Sequence, residues 1–269
     1  MSKVAFLALT YSSFIKDEIM SRFFDPALKD RYNLYIHNKY DLPTNHYFSN
    51  FCISKSKVVE TKWGHYSLVK ASINLMAEAL QDPENQYFVL ISDSHCPLYD
   101  IETTCDLIEN GFDIMSFFEC VPERHLIPKR FELIHNSARI KYSPFKIKNA
   151  LFVSQWFICR RSDAAFFVSK ESNLRKWFST DRVSFADEMY FPLVANHFGL
   201  DFQLKSNCHF NWKLNSSKKL MDYGAKAEPK SYEKIDHRII DSLRNTSNLF
   251  IRKVHPLTIV DNDYIFSNE

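Results

Sequence analysis

An α/β fold on a mostly parallel central sheet is predicted for this 269-residue chain by three observations. Short strand-like stretches at 4–9, 33–38 and 87–92 each break into polar loop residues, and the near-continuous apolar runs of the first and last have the pattern of strands buried on both faces. A stretch with apolar residues at helical spacing stands between the last two, and strand, helix and strand in alternation make a parallel layer flanked by helices. No internal repeat or low-complexity linker divides the chain, and 45% hydrophobic residues suffice for one large core, so one domain is expected.

In chain order, Val4 to Leu9 reads as a buried strand ending at Thr10-Tyr11-Ser12-Ser13, followed by a helix through Met20 to Phe24. Asn33 to Asn38 is a second strand. Leu68, Ala71, Leu75 and Ala79 define a helix that Ser67 is placed to start. Tyr87 to Ser92 is the strongest strand signal and breaks at Asp93-Ser94-His95-Cys96-Pro97. Helix at 105–109 and strand at 113–119 follow, then a basic, aromatic stretch at 124–148 without a clean period, read as an ordered loop region. Strand character returns at 152–159, a helix begins at Arg161, and 199–212 holds another strand. The polar segment 213–232 reads as loop, 236–243 as a short helix, and 249–254 as a strand that ends before Pro256. Ligands of such sheets gather beyond the carboxyl ends of the strands, which singles out Thr10 to Ser13, Asn38, and Asp93 to His95.

Composition excludes several classes. The 34 basic and 32 acidic side chains nearly cancel, leaving no global field for nucleic acid or an anionic membrane. With 4 glycines, neither GxGxxG nor a P-loop can be written. The six cysteines are scattered, form no CxxC and mostly sit among apolar residues, as reduced core thiols do. No run approaches the eighteen or so apolar residues of a membrane span. The histidines make no zinc pattern, and GxSxG is absent. The Asp-x-Asp triplet Asp261-Asn262-Asp263 falls in what reads as a solvated tail, away from any central strand that would present a divalent ion to a diphosphate.

The stretch Ser184-Phe185-Ala186-Asp187-Glu188-Met189-Tyr190-Phe191-Pro192 sets two carboxylates between apolar neighbours, with Pro192 closing the run. Locally it has two readings. One is the acidic first turn of a helix, favoured by orphan N–H groups; the other is a general base facing a cavity.

Eight segments in order resemble the core-2/I-branching β-glycosyltransferases, glycosyltransferase family 14, and their plant and microbial branch in pattern. They are Val4 to Leu9; Tyr35-Ile36-His37; Trp63-Gly64 with Ser67 to Ala71; Ala79-Leu80-x-Asp82-Pro83-x-Asn85 through Ser92; Pro97-Leu98-Tyr99; Ser154-Gln155-Trp156-Phe157; Asp187-Glu188; and Leu249-Phe250-x-Arg252-Lys253. The resemblance implies a GT-A-like, Rossmann-related fold and an inverting transferase that takes a sugar from a nucleotide sugar, usually a UDP-sugar, to a glycan hydroxyl without a metal cofactor. It implies Glu188 as general base, Lys253 at the leaving diphosphate, and a second basic residue upstream that falls on Lys230. Arg252 is a further helper there.

Displacement at an anomeric carbon needs a base for the acceptor hydroxyl and positive charge where the phosphate departs, which these residues supply. By position, Thr10, Tyr11 and Asp93 are assigned to the donor nucleotide or sugar. His95, Ser154, Gln155, Trp156 and Asp187 are assigned to the site lining. Trp212 resembles the family's aromatic acceptor platform, with a core tryptophan as the equal alternative. N-acetylglucosamine is the first donor sugar, with xylose and glucuronic acid next. The expected division is a nucleotide-binding part at about 1–120 and an acceptor-binding, catalytic part at about 121–269. Two other readings are a sugar- or nucleotide-binding protein of the same fold without turnover, and a glycoside hydrolase pairing Glu188 with Asp93. Family members in animals and plants carry an N-terminal membrane helix, whereas this chain starts at its first strand. The expectation is a soluble cytoplasmic protein of bacterial or viral origin, or a trimmed Golgi-type domain.

Overall fold

The computed structural model describes residues 2–111, 115–119, 153–179, 185–204, 208–210, 231–246 and 248–267. Its centre is a six-stranded sheet in the order β2-β1-β3-β6-β5-β7. These strands are β1 (Lys3–Thr10), β2 (Tyr32–Asn38), β3 (Asn85–Ser92), β5 (Met115–Glu119), β6 (Val153–Arg160) and β7 (Phe202–Leu204). β1 pairs in parallel with β2 and β3, β5 with β7, and only β6 runs antiparallel, to β3 and to β5. The apolar runs of β1 and β3 follow from this placement: Val4 to Ala8 and Phe88 to Ile91 are within 1% of full burial, as strands covered on both faces must be.

Register aligns the carboxyl edge of the sheet. Leu9 stands opposite both His37 and Ser92, so β1, β2 and β3 end level with one another. Val89 opposes Ile158 on the antiparallel β6, so β6 begins at that same edge and carries Ser154 there.

Around the sheet run α1 (Asp17–Phe23), α2 (Tyr66–Ala79), α3 (Ile101–Gly111), α4 (Arg161–Phe178) and α5 (Ala186–Phe198). A second, smaller sheet has the order β4-β10-β8, from Cys96–Pro97, Phe250–Arg252 and Cys208–Phe210. β9 (Lys234–Ile235) pairs with β11 (Ile259–Val260), and α6 (His237–Arg244) and α7 (Asn262–Phe266) complete this end. Two apolar cores result among the described residues. The larger fills the central sheet and its helices; the smaller joins Ile19 of α1 to Cys96, Leu98, Ile235, Ile240, Ile251, Val254 and Ile265.

The structure departs from the sequence expectations at three points. α2 begins one residue before Ser67, because the His65 side chain caps it by accepting the Ser67 N–H at 3.1 Å, while Ser67 Oγ accepts from Lys62 N–H. Pro192 does not close the run after Glu188 but lies inside α5. Its ring removes one donor, the N–H that would reach the Glu188 carbonyl, and the burial of Met189, Tyr190, Phe191, Leu193 and Val194 overrides that penalty. The C-terminal triplet is not a free tail: the Asp261 N–H bonds the Ile235 carbonyl, Asp263 pairs with Arg22 at 3.0 Å, and Ile265 is buried.

Candidate active site

The loop after β3 is the hub of the carboxyl edge. Asp93 continues the sheet by donating its N–H to the Leu9 carbonyl, and its own carbonyl accepts from Ile15. Its side chain accepts the Tyr11 N–H at 3.1 Å, so one residue clamps the loop that leaves β1. Burial pushes the Asp93 carboxyl above the usual range, and the Tyr11 N–H, Arg252 and Lys253 pull it partly back. A carboxylate held this way accepts hydrogen bonds from hydroxyls or amides at a place where positive charge is close.

Arg252 and Lys253 reach Asp93 through the small sheet. β10 pairs antiparallel with β4, placing Ile251 opposite Cys96, and Val254 N–H then bonds the Ser94 carbonyl at 3.0 Å. The Arg252 guanidinium lies 5.1 Å from the centroid of the Trp156 ring and donates Nε–H to Ser92 Oγ at 3.4 Å. A planar cation stacked on an indole keeps its charge with little loss of freedom. The Lys253 carbonyl accepts the Tyr232 N–H, which fixes the main chain where that side chain departs.

Beneath this cluster His95 is fully buried, its ring edge-on to Trp156 at 5.0 Å and to Phe250 at 6.0 Å. Its Nδ1 faces Ser92 N–H at 3.0 Å and Ser92 Oγ at 2.8 Å. Burial, with the Arg252 charge beside it, drives the imidazole well below its ordinary range, so the ring is neutral. It shapes the Asp93 loop from below. Trp156, at 3% exposure, is likewise a support for Arg252. Ser154 is buried and its Oγ accepts the Trp156 N–H at 3.3 Å. Gln155 Oε1 is buried without a hydrogen-bond partner among the described residues.

Thr10 is buried, its hydroxyl bonded to Asn38 Oδ1, and Asn38 Nδ2 lies 3.2 Å from Cys52 Sγ. Tyr11 is exposed and packs edge-on against Tyr40 at 4.7 Å, with the Lys39 ammonium 5.6 Å from its ring centroid. Beside this end of β2 opens a cleft of about 580 Å³ with Asn38, Asp41, Asn50 and Cys52 among its lining residues.

Asp187 and Glu188 form the first turn of α5, whose N-terminal dipole favours acidic residues. Asp187 is buried and Glu188 half-buried. The helix reaches the functional edge through α2: the Ala186 N–H donates to the Gly64 carbonyl at 3.0 Å, two residues before α2 starts. Phe185, just before α5, has φ 58°, in the left-handed region that costs a bulky residue on the order of 1–2 kcal/mol. Of the residues singled out in the sequence, Thr10, Tyr11, Asp93, Ser154, Trp156, Arg252 and Lys253 come together, and Glu188 joins their edge of the sheet by way of Gly64. Lys230 and Trp212 lie outside the described residues. Sequence reasoning missed Lys39, Tyr40 and Ser92, which carry no spacing signal, and quoted Trp63-Gly64 only as a motif although it seats the helix of Glu188.

A family model described as Core-2/I-Branching enzyme matches residues 4–245. The chain belongs to that family. The match stops short of Arg252 and Lys253, which the small sheet nevertheless carries to Asp93. A rice protein (Oryza sativa subsp. japonica) named glycosyltransferase BC10 is 25% identical over 249 residues, covering 81% of this chain and 59% of the rice protein. The chain thus spans about three fifths of that relative's length. Among solved structures, mouse xyloside xylosyltransferase 1 in its apo form aligns at 8% identity and a TM-score of 0.37, over 78% of this chain and 89% of the mouse chain. Among the described residues no helix is long and apolar enough to cross a membrane, and no three His, Cys, Asp or Glu side chains gather as metal ligands.

Proposed function

We propose that this chain is an inverting glycosyltransferase that moves a sugar from a UDP-sugar to a hydroxyl of a glycan acceptor without a metal cofactor. N-acetylglucosamine is the first choice of sugar, xylose and glucuronic acid the next. The observation that carries the reading is the convergence of Asp93, Arg252 and Lys253 at the edge of the sheet where α5 presents Glu188.

In this reading Glu188 removes the acceptor proton as its oxygen bonds the anomeric carbon, and the bond from that carbon to the UDP oxygen breaks on the opposite face. The electron pair leaves with UDP, and Lys253, Arg252 and Lys230 meet the charge that develops on the diphosphate. Asp93 and the Tyr11 loop hold the ribose or donor sugar, with the cleft beside Asn38 available to the nucleoside. Asp187 holds the first turn of α5. The nucleotide part spans about 1–120 and the acceptor part about 121–269 of one catalytic domain.

Glu188→Gln separates this reading from its rivals. Turnover of UDP-sugar should fall by about 10²–10⁴-fold while UDP affinity stays within a factor of two or so, and the wild type should keep its rate in excess EDTA. Unchanged turnover in Glu188→Gln would reject the base. Loss of rate in EDTA with rescue by manganese would reject the basic residues as sole acceptors of the charge. Sugar release from a glycan without any nucleotide would favour hydrolysis.

A further inference from the structure

Trp63 has no part in the chemistry above, yet it is 70% exposed, whereas Trp156 is buried and Trp177 partly buried. A single exposed aromatic is ordinary on a protein surface. The way this one is mounted is not. Its ring meets Phe185 edge-on at 5.4 Å and 85°. Phe185 is the residue held at φ 58°, and the neighbouring Gly64 has φ 66° while its carbonyl takes the Ala186 N–H. Two left-handed residues therefore face each other, and the outcome is an indole on the rim beside the first turn of α5. An observed backbone outlier is a pointer to function when its surroundings hold it in place.

We infer that the Trp63 indole is a stacking platform for a pyranose ring of the acceptor, seating the hydroxyl that Glu188 deprotonates. The inference rests on the transferase reading of Glu188. A general base works within about 2.6–3.2 Å of its proton donor, and Glu188 follows Phe185 by about one helical turn, roughly 5 Å. The sugar bearing that hydroxyl therefore lies within one ring's width of the Trp63–Phe185 pair. A pyranose offers a flat face of C–H bonds that packs on an aromatic ring, and an indole has the largest such face. The donor's uracil is the competing flat group. In the proposed reading its place is the cleft beside Asn38 at the end of β2, whereas Trp63 is tied to the helix of the base.

The test uses the full chain and two probes. Saturation-transfer NMR with methyl β-galactoside, methyl β-glucoside and methyl β-N-acetylglucosaminide reads the acceptor side, and calorimetry with UDP reads the donor side. The wild type should transfer saturation to the C–H protons of at least one glycoside. Trp63→Ala should lose that signal by about fivefold or more, and Trp63→Tyr should retain most of it. UDP affinity should change by less than about twofold in both, with unfolding midpoints close to the wild type. No signal with any glycoside in the wild type, an unchanged signal in Trp63→Ala, or a UDP affinity that falls along with the glycoside signal each overturns the platform. Failure of wild-type protein to bind UDP while the glycoside signal depends on Trp63 sinks the transferase reading and leaves the platform standing.

Discussion

The Tyr66 hydroxyl donates to Glu171 Oε1 at 2.7 Å inside the protein, where Glu171 is 6% exposed and Lys70 Nζ reaches the other carboxylate oxygen at 3.2 Å. This buried bond joins the first turn of α2 to α4, and the Tyr66 ring also meets Tyr190 of α5 at 6.0 Å. The brace stands behind the helix that carries Glu188. A hydrogen bond to a charged group contributes about 1.5–3 kcal/mol, so Tyr66→Phe should lower unfolding free energy by that amount in urea titration. A loss below about 0.5 kcal/mol would mean that Lys70 alone satisfies the carboxylate.

Asp93 makes a prediction with a definite sign. Its folded-state acidity is weakened chiefly by burial, so the fold favours the protonated form. That contribution is complete below the ordinary Asp range and is lost as pH rises through the raised folded value. Asp93→Asn keeps an acceptor for the Tyr11 N–H without the charge. The variant should therefore melt above the ligand-free wild type at pH 7, and the gap should close as the pH is lowered through the Asp93 titration. A gap that widens on acidification would contradict the burial argument.

Arg252 and Lys253 should separate by assay. Arg252→Lys keeps the charge but loses the Trp156 stack and the fork toward Ser92, so its effect is on stability, about 0.5–2 kcal/mol by thermal or chemical unfolding. Lys253→Ala leaves the carbonyl that Tyr232 uses in place and should weaken UDP by about tenfold. Equal UDP affinity in Lys253→Ala and wild type would remove this residue from the diphosphate.

The glycines flanking α5 offer an internal control. A Cβ at Gly199 would meet nothing within 4 Å, and one at Gly64 would make ordinary contact with Phe185 at 3.6 Å. Both sit at positive φ, so alanine at either costs about 1–2 kcal/mol of conformational strain. Only Gly64→Ala should also lower turnover, because its carbonyl positions Ala186 ahead of Glu188. Matching turnover in the two variants would uncouple the α2–α5 junction from the chemistry.

The central sheet was legible because β1 and β3 lie inside it and read as near-continuous apolar runs, while the edge strand β2 still buries Leu34 and Ile36. The rule that ligands gather beyond the carboxyl ends of strands pointed to one edge, and Thr10, Tyr11 and Asp93 lie along it. What the sequence hid depends on contacts across long separations. Nothing local marks His65 as the cap of α2, since histidine is not a usual cap residue and its acceptor nitrogen counts only when the ring turns toward Ser67. Pro192 closes the run around Asp187-Glu188 in the sequence, and only the packing of its neighbours keeps it inside α5. His95 sits on a loop that position alone would open to ligand, yet it faces inward because Trp156 and Phe250, from two different sheets, close over it.

The pairing of β10 between β4 and β8 also orders events during synthesis. Strands β1 to β3 and the Asp93 loop leave the ribosome well before Arg252 and Lys253, and β10 has no partners to join until Cys96–Pro97 and Cys208–Phe210 are both in place. The nascent polypeptide can thus assemble its sheet while the cationic half of the site is still missing. A chain interrupted before Phe250 would therefore hold the strands of the central sheet without the Arg252 and Lys253 cations.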